Sequence, residues 1–443
     1  MGMIKRGLAL IFQRRDFGLL MGVQFLAQAG DGLFQTAVAK AVAFGGQEGF
    51  DVESASSVDE LITIVLFLFV PYTVISPFLG VVIDRWDRRK LLSVSNGLRA
   101  VLVGVIAFFG VQTTAADPVR GLLGTEILPS AFLFLVFMLT LAATRVVLAT
   151  KSAALPATLD GSSLVEANAV SQLGGALFQL GAAGLAFVAS TVLPSAPIVL
   201  AGAAVYGVAA AMAMLIKRAG EPHVSEGLGA EIARVFRSIL AGFKEVAGNA
   251  KAAASISTYF WLRFLWSFTI VGVAFIARDL VADDDLQVLV LTGGAGAVGA
   301  VLGFVSAARL HEKVKTTAHL VLAASTVAGL AVAILGGLEA KLTIAVLTFF
   351  LGFGFFLGKI SLDTMVQQAL GDDFRGRAFS LYDIAYNLAW VVAAVIMKLF
   401  YDAETRGALI AAIGVVFLIG LVLLARWFKR AGLLALSAHS EAR

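Results

Sequence analysis

Four polar residues interrupt an apolar run near the start of the chain: Gln24, Gln28, Asp31 and Gln35. Their spacing of i, i+4, i+7 and i+11 places them on one face of a helix. In a membrane helix such a face turns away from lipid, toward a cavity between the two halves of the molecule. A charge at mid-bilayer costs about 2.5–3.5 kcal/mol, so an acid there implies a partner or a task. Asp31 is therefore the candidate for proton coupling or cation recognition, against the plainer reading of a structural ion pair. Arg263 is its expected partner, standing in Tyr259-Phe260-Trp261-Leu262-Arg263-Phe264-Leu265-Trp266. Tyr259 and Trp266 offer aromatic faces to a cation or a flat amphiphile, or serve as packing. Ser380, Asp383, Asn387 and Trp390 share another helical face, with Asp383 suited equally to a gate or a substrate contact. Lys359 and Asp363 read as an i,i+4 pair, and Lys40 and Lys398 lie close enough to span ends to snorkel.

Composition decides what kind of element carries these groups. The 443 residues are 59% hydrophobic and only 14% charged, and the mean hydropathy is +0.90. A soluble protein carries about 25% charged residues, so a soluble globule, a disordered chain and a coiled coil are excluded. With no cysteine, thiolate metal sites, Cys nucleophiles and disulfides are excluded too. A bilayer core needs roughly 20 apolar helical residues, and twelve segments qualify. Six are 17–44, 60–83, 90–112, 128–150, 164–190 and 196–217. The other six are 253–277, 286–308, 317–337, 341–364, 377–401 and 406–428. The alternation of a membrane β-barrel is missing. The expected fold is an all-α membrane protein of two pseudo-symmetric six-helix bundles.

Charge sets the orientation. The arms and loops on the side of both termini hold 24 of the 34 Lys and Arg. The opposite loops hold Arg120, Arg278, Lys341 and Arg406. By the positive-inside rule both termini are cytoplasmic, and residues 1–16 do not read as a signal peptide. The basic balance is topological, so no nucleic-acid partner is expected. The bundles span 1–217 and 253–443. Between them, 218–252 is a linker in which Ile232, Phe236, Ile239, Leu240 and Phe243 recur at helical spacing, suiting a helix on the membrane surface. Leu159 to Glu166 and Leu370 to Arg377 occupy equivalent loops of a weak internal repeat, and repeated halves with a site between them are a transporter signature.

The segment Gly80-Val-Val-Ile-Asp84-Arg85-Trp86-Asp87-Arg88-Arg89-Lys90 resembles the loop 2–3 signature of the major facilitator superfamily, Gly-x-x-x-Asp-Arg-x-Gly-Arg-Arg/Lys. Asp87 stands where that pattern has Gly. Gln24-Phe25 to Gly30-Asp31 and Arg375-Gly376-Arg377 are similar to stretches of the macrolide-efflux and enterobactin-exporter type within it. The resemblance implies that Gly80, Asp84, Arg85, Arg88 and Arg89 steady a closed cytoplasmic gate, with Arg375 and Arg377 in the related loop. It also suggests a proton-transfer role for Arg145. Gly174-Gly175 and Gly181 to Gly184 stand where antiporters often carry a Gly-Pro-rich motif.

These readings lead to a secondary transporter that exports a drug- or siderophore-like amphiphile by alternating access, in exchange for protons. Uptake or facilitated diffusion of a dedicated solute is the alternative, with a non-transporting sensor or membrane-embedded enzyme further off. No nucleotide loop of the Gly-x-x-x-x-Gly-Lys-Ser/Thr kind and no metal-ligand spacing is found. No cofactor is expected, and the partners are a small-molecule substrate, protons and the bilayer. The chain is expected to be a monomer, Gly299-x-x-x-Gly303 serving helix packing within it.

Overall fold

The structure is a computed structural model that describes residues 2–44, 86–110, 128–159, 164–217, 219, 228–282, 287–311, 313–314, 316–369 and 372–435. Among them there is no strand. The helices are α1 (Gly2–Gln13), α2 (Arg15–Phe44), α3 (Arg88–Val105), α4 (Leu128–Ala154), α5 (Leu164–Ala189) and α6 (Ser195–Ala213). They continue as α7 (Leu228–Gly248), α8 (Ala250–Ala282), α9 (Gln287–His311), α10 (Thr317–Leu335), α11 (Lys341–Ala369), α12 (Asp372–Phe400) and α13 (Arg406–Arg430). Span 2 of the sequence reading, at 60–83, lies outside the described residues, as do Gly80, Asp84 and Arg85. For Arg375, Arg377 and Asp383 only the helical backbone of α12 is described.

Nine of the described helices are long and apolar enough to cross a membrane. α2 is not among them, and α12 contributes only a shorter apolar stretch, Ile384–Phe400. The polar stripe of α2 dilutes the hydropathy that marks the others.

Local chemistry sets several boundaries. Asp87 caps α3, its Oδ1 accepting the backbone N–H of Arg89 at 2.9 Å and of Lys90 at 3.3 Å. Pro156 opens a 3₁₀ turn, Leu155–Thr158, that stops α4. Asn249 alone separates α7 from α8, its Oδ1 accepting from Lys251 N and Ala252 N, both at 3.1 Å. α1, unforeseen in the sequence reading, packs Gly7 onto α5 and joins Leu10 and Ile11 to the core.

The described residues form two compact units, whose border falls between Ile232 and Ala233, inside α7. In the first unit α2 packs on α5 and α6, and α3 on α4 and α6. Its apolar core is split. One cluster gathers Phe17, Leu20, Leu92, Val147, Ala167 and Ala213, and the other gathers Phe34, Val103, Val136, Ala186, Ile198 and Tyr206. Each of α2 to α6 contributes to both clusters, so the residues between them on each helix form a layer across the unit.

The second unit has one large core built around α8, through Tyr259, Leu262, Leu265, Phe268, Phe355, Met397 and Phe417. The apolar window of α8 is 67% buried, against 22% for α13, which turns Val415, Ile419 and Leu423 outward to lipid. Gly299 and Gly303 let α9 run against the carbonyls of Phe349 and Phe353 on α11, a contact within one chain. Arg406 at the start of α13 bonds Glu339 at 2.9–3.3 Å and also pairs with Asp279. It thereby ties the end of α8, the α10–α11 connection and the start of α13 together.

Candidate functional site

The layer between the two clusters of the first unit is polar. Asp31 is 3% exposed, and its Oδ1 accepts three hydrogen bonds: from the Tyr206 hydroxyl at 2.8 Å, from Thr144 at 3.2 Å and from the Arg99 guanidinium. Arg99 is fully buried. It donates to Asn96 Oδ1 at 3.1 Å and lies 3.8 Å from the centre of the Tyr206 ring. Asn96 anchors to the Leu92 carbonyl, and the single hydrogen of the Thr144 hydroxyl is shared with the Thr140 carbonyl 3.1 Å away. An acid and a base removed from water neutralise each other and leave few polar atoms unmet, the condition for such a pair to be tolerated. Arg99 Nε is the exception, with no hydrogen bond among the described residues.

Arg99 thus takes the place the sequence reading gave to Arg263. Arg263 is the equivalent-helix guess, whereas helix packing brings α2, α3 and α6 together inside one unit. The signal was present: Arg99 is a charge inside span 3, with Asn96 one turn before it on the same face.

The stripe continues toward the start of α2. Gln24 Nε2 donates to Gln28 Oε1 and to the Ser171 carbonyl, both at 2.8 Å. Ser171 donates to Gln24 Oε1 at 2.7 Å and accepts from Lys151 Nζ at 2.8 Å. Lys151 belongs with the loop positives in the sequence reading, but the structure buries it at 8% exposure. Lys40, expected to snorkel, is likewise buried at 4%. Gln35, one helical repeat beyond Asp31, is half-buried.

Glycines make these approaches possible. A Cβ on Gly30 would stand 2.5 Å from the Tyr206 ring, and one on Gly175 would be 2.6 Å from Gln24 Nε2 and closer still to Gln28 Oε1. Gly174 makes room for Phe25, which stacks on Phe178 with ring centres 4.9 Å apart. The Gln24-Phe25 to Gly30-Asp31 stretch and the Gly174-Gly175 pair are therefore two sides of one helix contact.

In the second unit Arg263 is boxed by aromatic rings. Its guanidinium lies 3.8 Å from the centre of Tyr386, 4.4 Å from Trp266 and 5.3 Å from both Phe355 and Trp390. Tyr259 stacks on Tyr386, and Trp266 meets Trp390 edge-on. Asn387, one residue beyond Tyr386, is buried. The expected site residues Tyr259, Arg263, Trp266 and Trp390 do gather, but the cation on the aromatic faces is the protein's own.

Arg145 is half-buried on α4. Lys359 and Asp363 pair at 2.8 Å within α11. Of the gate candidates, Arg88 donates to the Ala219 carbonyl at 3.4 Å, and Arg89 lies 3.8 Å from the Asp87 carboxylate. Asp87, where the loop pattern has Gly, gives α3 its cap and Arg89 a partner.

Long apolar helices surrounding buried ionisable groups define a multi-pass membrane protein with charge chemistry well inside its spans. Residues 20–394 match the family model of the Major Facilitator Superfamily, and the chain belongs to that family of transporters. It is 25% identical over 427 residues to a Mycobacterium tuberculosis protein described as an uncharacterized MFS-type transporter, covering 92% of this chain and 90% of that one. An uncharacterized Mycobacterium leprae protein is 27% identical over 389 residues, covering 82% of this chain and 64% of its own length. Crystal structures with the same fold include a mutant of the nucleoside transporter NupG, at TM-score 0.67 and 13% identity, covering 92% of this chain and 99% of that one. A D-xylose-proton symporter matches at TM-score 0.66 and 11% identity, over 92% and 95% of the two chains. The twelve-span all-α fold expected from the sequence is the fold of this family.

Proposed function

We propose that the chain is a proton-coupled secondary transporter that exports an amphiphilic small molecule by alternating access, from the cytoplasm of a bacterium across its inner membrane. The observation that carries this reading is the Asp31–Arg99 pair. All three hydrogen bonds to Asp31 converge on Oδ1, which leaves Oδ2 as the oxygen open to proton exchange. A proton there takes from Arg99 its counter-charge inside the cluster. The cluster relaxes by moving α3 or α6 relative to α2, and that strain is the link between proton and conformation. Arg85, Arg88 and Arg89, with Asp84 and Gly80, act as the cytoplasmic gate, and Arg375 and Arg377 as its counterpart.

Substrate recognition falls to Tyr259, Arg263, Trp266, Asn387 and Trp390 of the second unit, with Asp383 and, in the first unit, Gln28, Gln35 and Arg145 as further candidates. Arg263 already occupies the faces of Trp266 and Tyr386, which favours neutral or anionic amphiphiles over organic cations. Import by symport is the second reading; one structural neighbour is a proton symporter, but at 11% identity that likeness carries fold alone.

The test is susceptibility of a pump-deficient bacterial host to a panel of amphiphiles, expressing wild type or Asp31→Asn at matched membrane abundance. Export predicts that wild type protects against some compounds and the variant does not. Equal protection by both removes Asp31 from coupling. Protection by neither removes drug export, and proton movement under an imposed solute gradient then reads the direction.

A further inference from the structure

Lys151 is a buried cation of the first unit that takes no part in the Asp31 cluster. It stands in the last turn of α4 and is 8% exposed. Its partner among the described residues is the Ser171 hydroxyl, 2.8 Å away, and no carboxylate pairs with it there. Asp31, the buried acid of α2, is already held by Arg99, Tyr206 and Thr144. A buried ammonium that meets only a neutral oxygen is costly, and an anion brought near it relieves that cost.

The bonds leading away from Lys151 run in one direction, and a single backbone group fixes it. The Ser171 carbonyl can only accept, so the side-chain atom of Gln24 that lies 2.8 Å from it is the amide nitrogen. Gln24 Oε1 therefore faces the Ser171 hydroxyl at 2.7 Å and takes its hydrogen, leaving that hydroxyl oxygen to accept from Lys151. Gln24 Nε2 also donates to Gln28 Oε1 at 2.8 Å, so Gln28 turns its own amide N–H groups away from the chain. Ser171 and Gln24 are buried, while Gln28 is half-buried. Hydrogen bonds in series polarise one another. The charge of Lys151 is thus felt, through Ser171 and Gln24, at the N–H groups of Gln28, where the chain approaches the surface of the unit.

We propose that the Gln28 amide, backed by Lys151, receives the anionic group of the transported amphiphile, a carboxylate or a sulfonate. This assignment rests on the reading of the chain as a transporter of an amphiphile, and it gives that solute its charge. Gln28 touches the anion. Lys151 is a positioning residue, acting through Ser171 and Gln24.

The test measures binding by the full chain in phosphatidylcholine nanodiscs, with empty discs subtracted. The probes are anilinonaphthalene sulfonate and phenylnaphthylamine, which share one ring skeleton and differ by the sulfonate. Both are read by fluorescence titration, and the stability of each variant by thermal melting. Wild type is expected to hold the anion roughly tenfold more tightly than the neutral probe, in line with a hydrogen bond to a charged group. Lys151→Met and Gln28→Leu are each expected to bring the two probes level. Lys151→Met also melts no lower than wild type, because it removes an uncompensated charge from the interior. A lysine with a merely structural role would instead melt lower on substitution and leave the preference intact. Lys429→Met, which removes an exposed cation at the end of α13, keeps the preference. No preference in wild type, or a preference retained in Lys151→Met or Gln28→Leu, overturns the proposal. Should Lys151→Met misfold, Gln28→Leu decides alone. Binding needs no gradient, so failure here is distinct from failure of export or proton coupling, which Asp31→Asn reads in cells.

Discussion

The guanidinium carbon of Arg99 lies 3.8 Å from the centre of the Tyr206 ring, and both side chains bond to the same oxygen of Asp31. Tyr206 thus acts on the ion pair twice, as a π face beneath the cation and as a hydroxyl donor to the anion. Separate substitutions can take these two roles apart.

Asp31→Asn leaves Arg99 buried without a counter-charge. Breaking a buried pair by removing one partner costs about 3–5 kcal/mol, so the melting temperature in detergent falls sharply. Asp31→Asn/Arg99→Leu removes both charges and recovers part of that stability. Transport stays lost in both variants if Asp31 carries the proton. Recovered transport in the double variant would make the pair structural.

Tyr206→Phe keeps the ring under Arg99 and deletes one donor to a carboxylate. A hydrogen bond to a charged group is worth about 1.5–3 kcal/mol, and the loss is read by thermal melting. Tyr206→Leu also removes the cation–π contact and is expected to fall further, by about 0.5–2 kcal/mol.

Gly30→Ala puts a methyl group 2.5 Å from a fully buried ring. Overpacking of this kind costs about 1–3 kcal/mol and pushes the Tyr206 hydroxyl away from Asp31. Gly181→Ala meets nothing within 4 Å and is the control. Melting of the two variants side by side should separate them, with Gly181→Ala neutral or slightly stabilising through helix propensity.

Arg406→Lys tests the clasp of the second unit. A single ammonium cannot reproduce the fork that reaches Glu339 and Asp279 together. The expected loss is about 1–3 kcal/mol, and proteolysis should quicken at the α10–α11 connection or the start of α13. An unchanged melting curve and cleavage pattern would show that the clasp adds nothing.

The sequence made the fold legible because hydropathy and charge bias act over whole segments. It also placed Asp31 in the interior, since a carboxylate in an apolar run has few other places to go. Its partner was less legible. The Asp31–Arg99 pair joins residues 68 apart on helices whose adjacency comes from packing, which periodicity along one helix does not report. Arg263 was singled out correctly as an interior charge, but its rings arrive from α11 and α12 as well as α8. Lys151 shows the same limit: its position at a span end suits a loop cation, and only the Ser171–Gln24 contact reveals that it is buried.

The same 68 residues also measure time on the ribosome. At roughly 5–20 residues per second, Asp31 is added about 3–14 seconds before Arg99. During that interval its carboxylate has no guanidinium to meet, at a cost of about 2.5–3.5 kcal/mol in lipid. Co-translational insertion of this chain must therefore shelter α2 beside the translocon until α3 arrives. Early release of α2 into lipid would select for misthreaded first halves, a defect written into biosynthesis rather than into the finished fold.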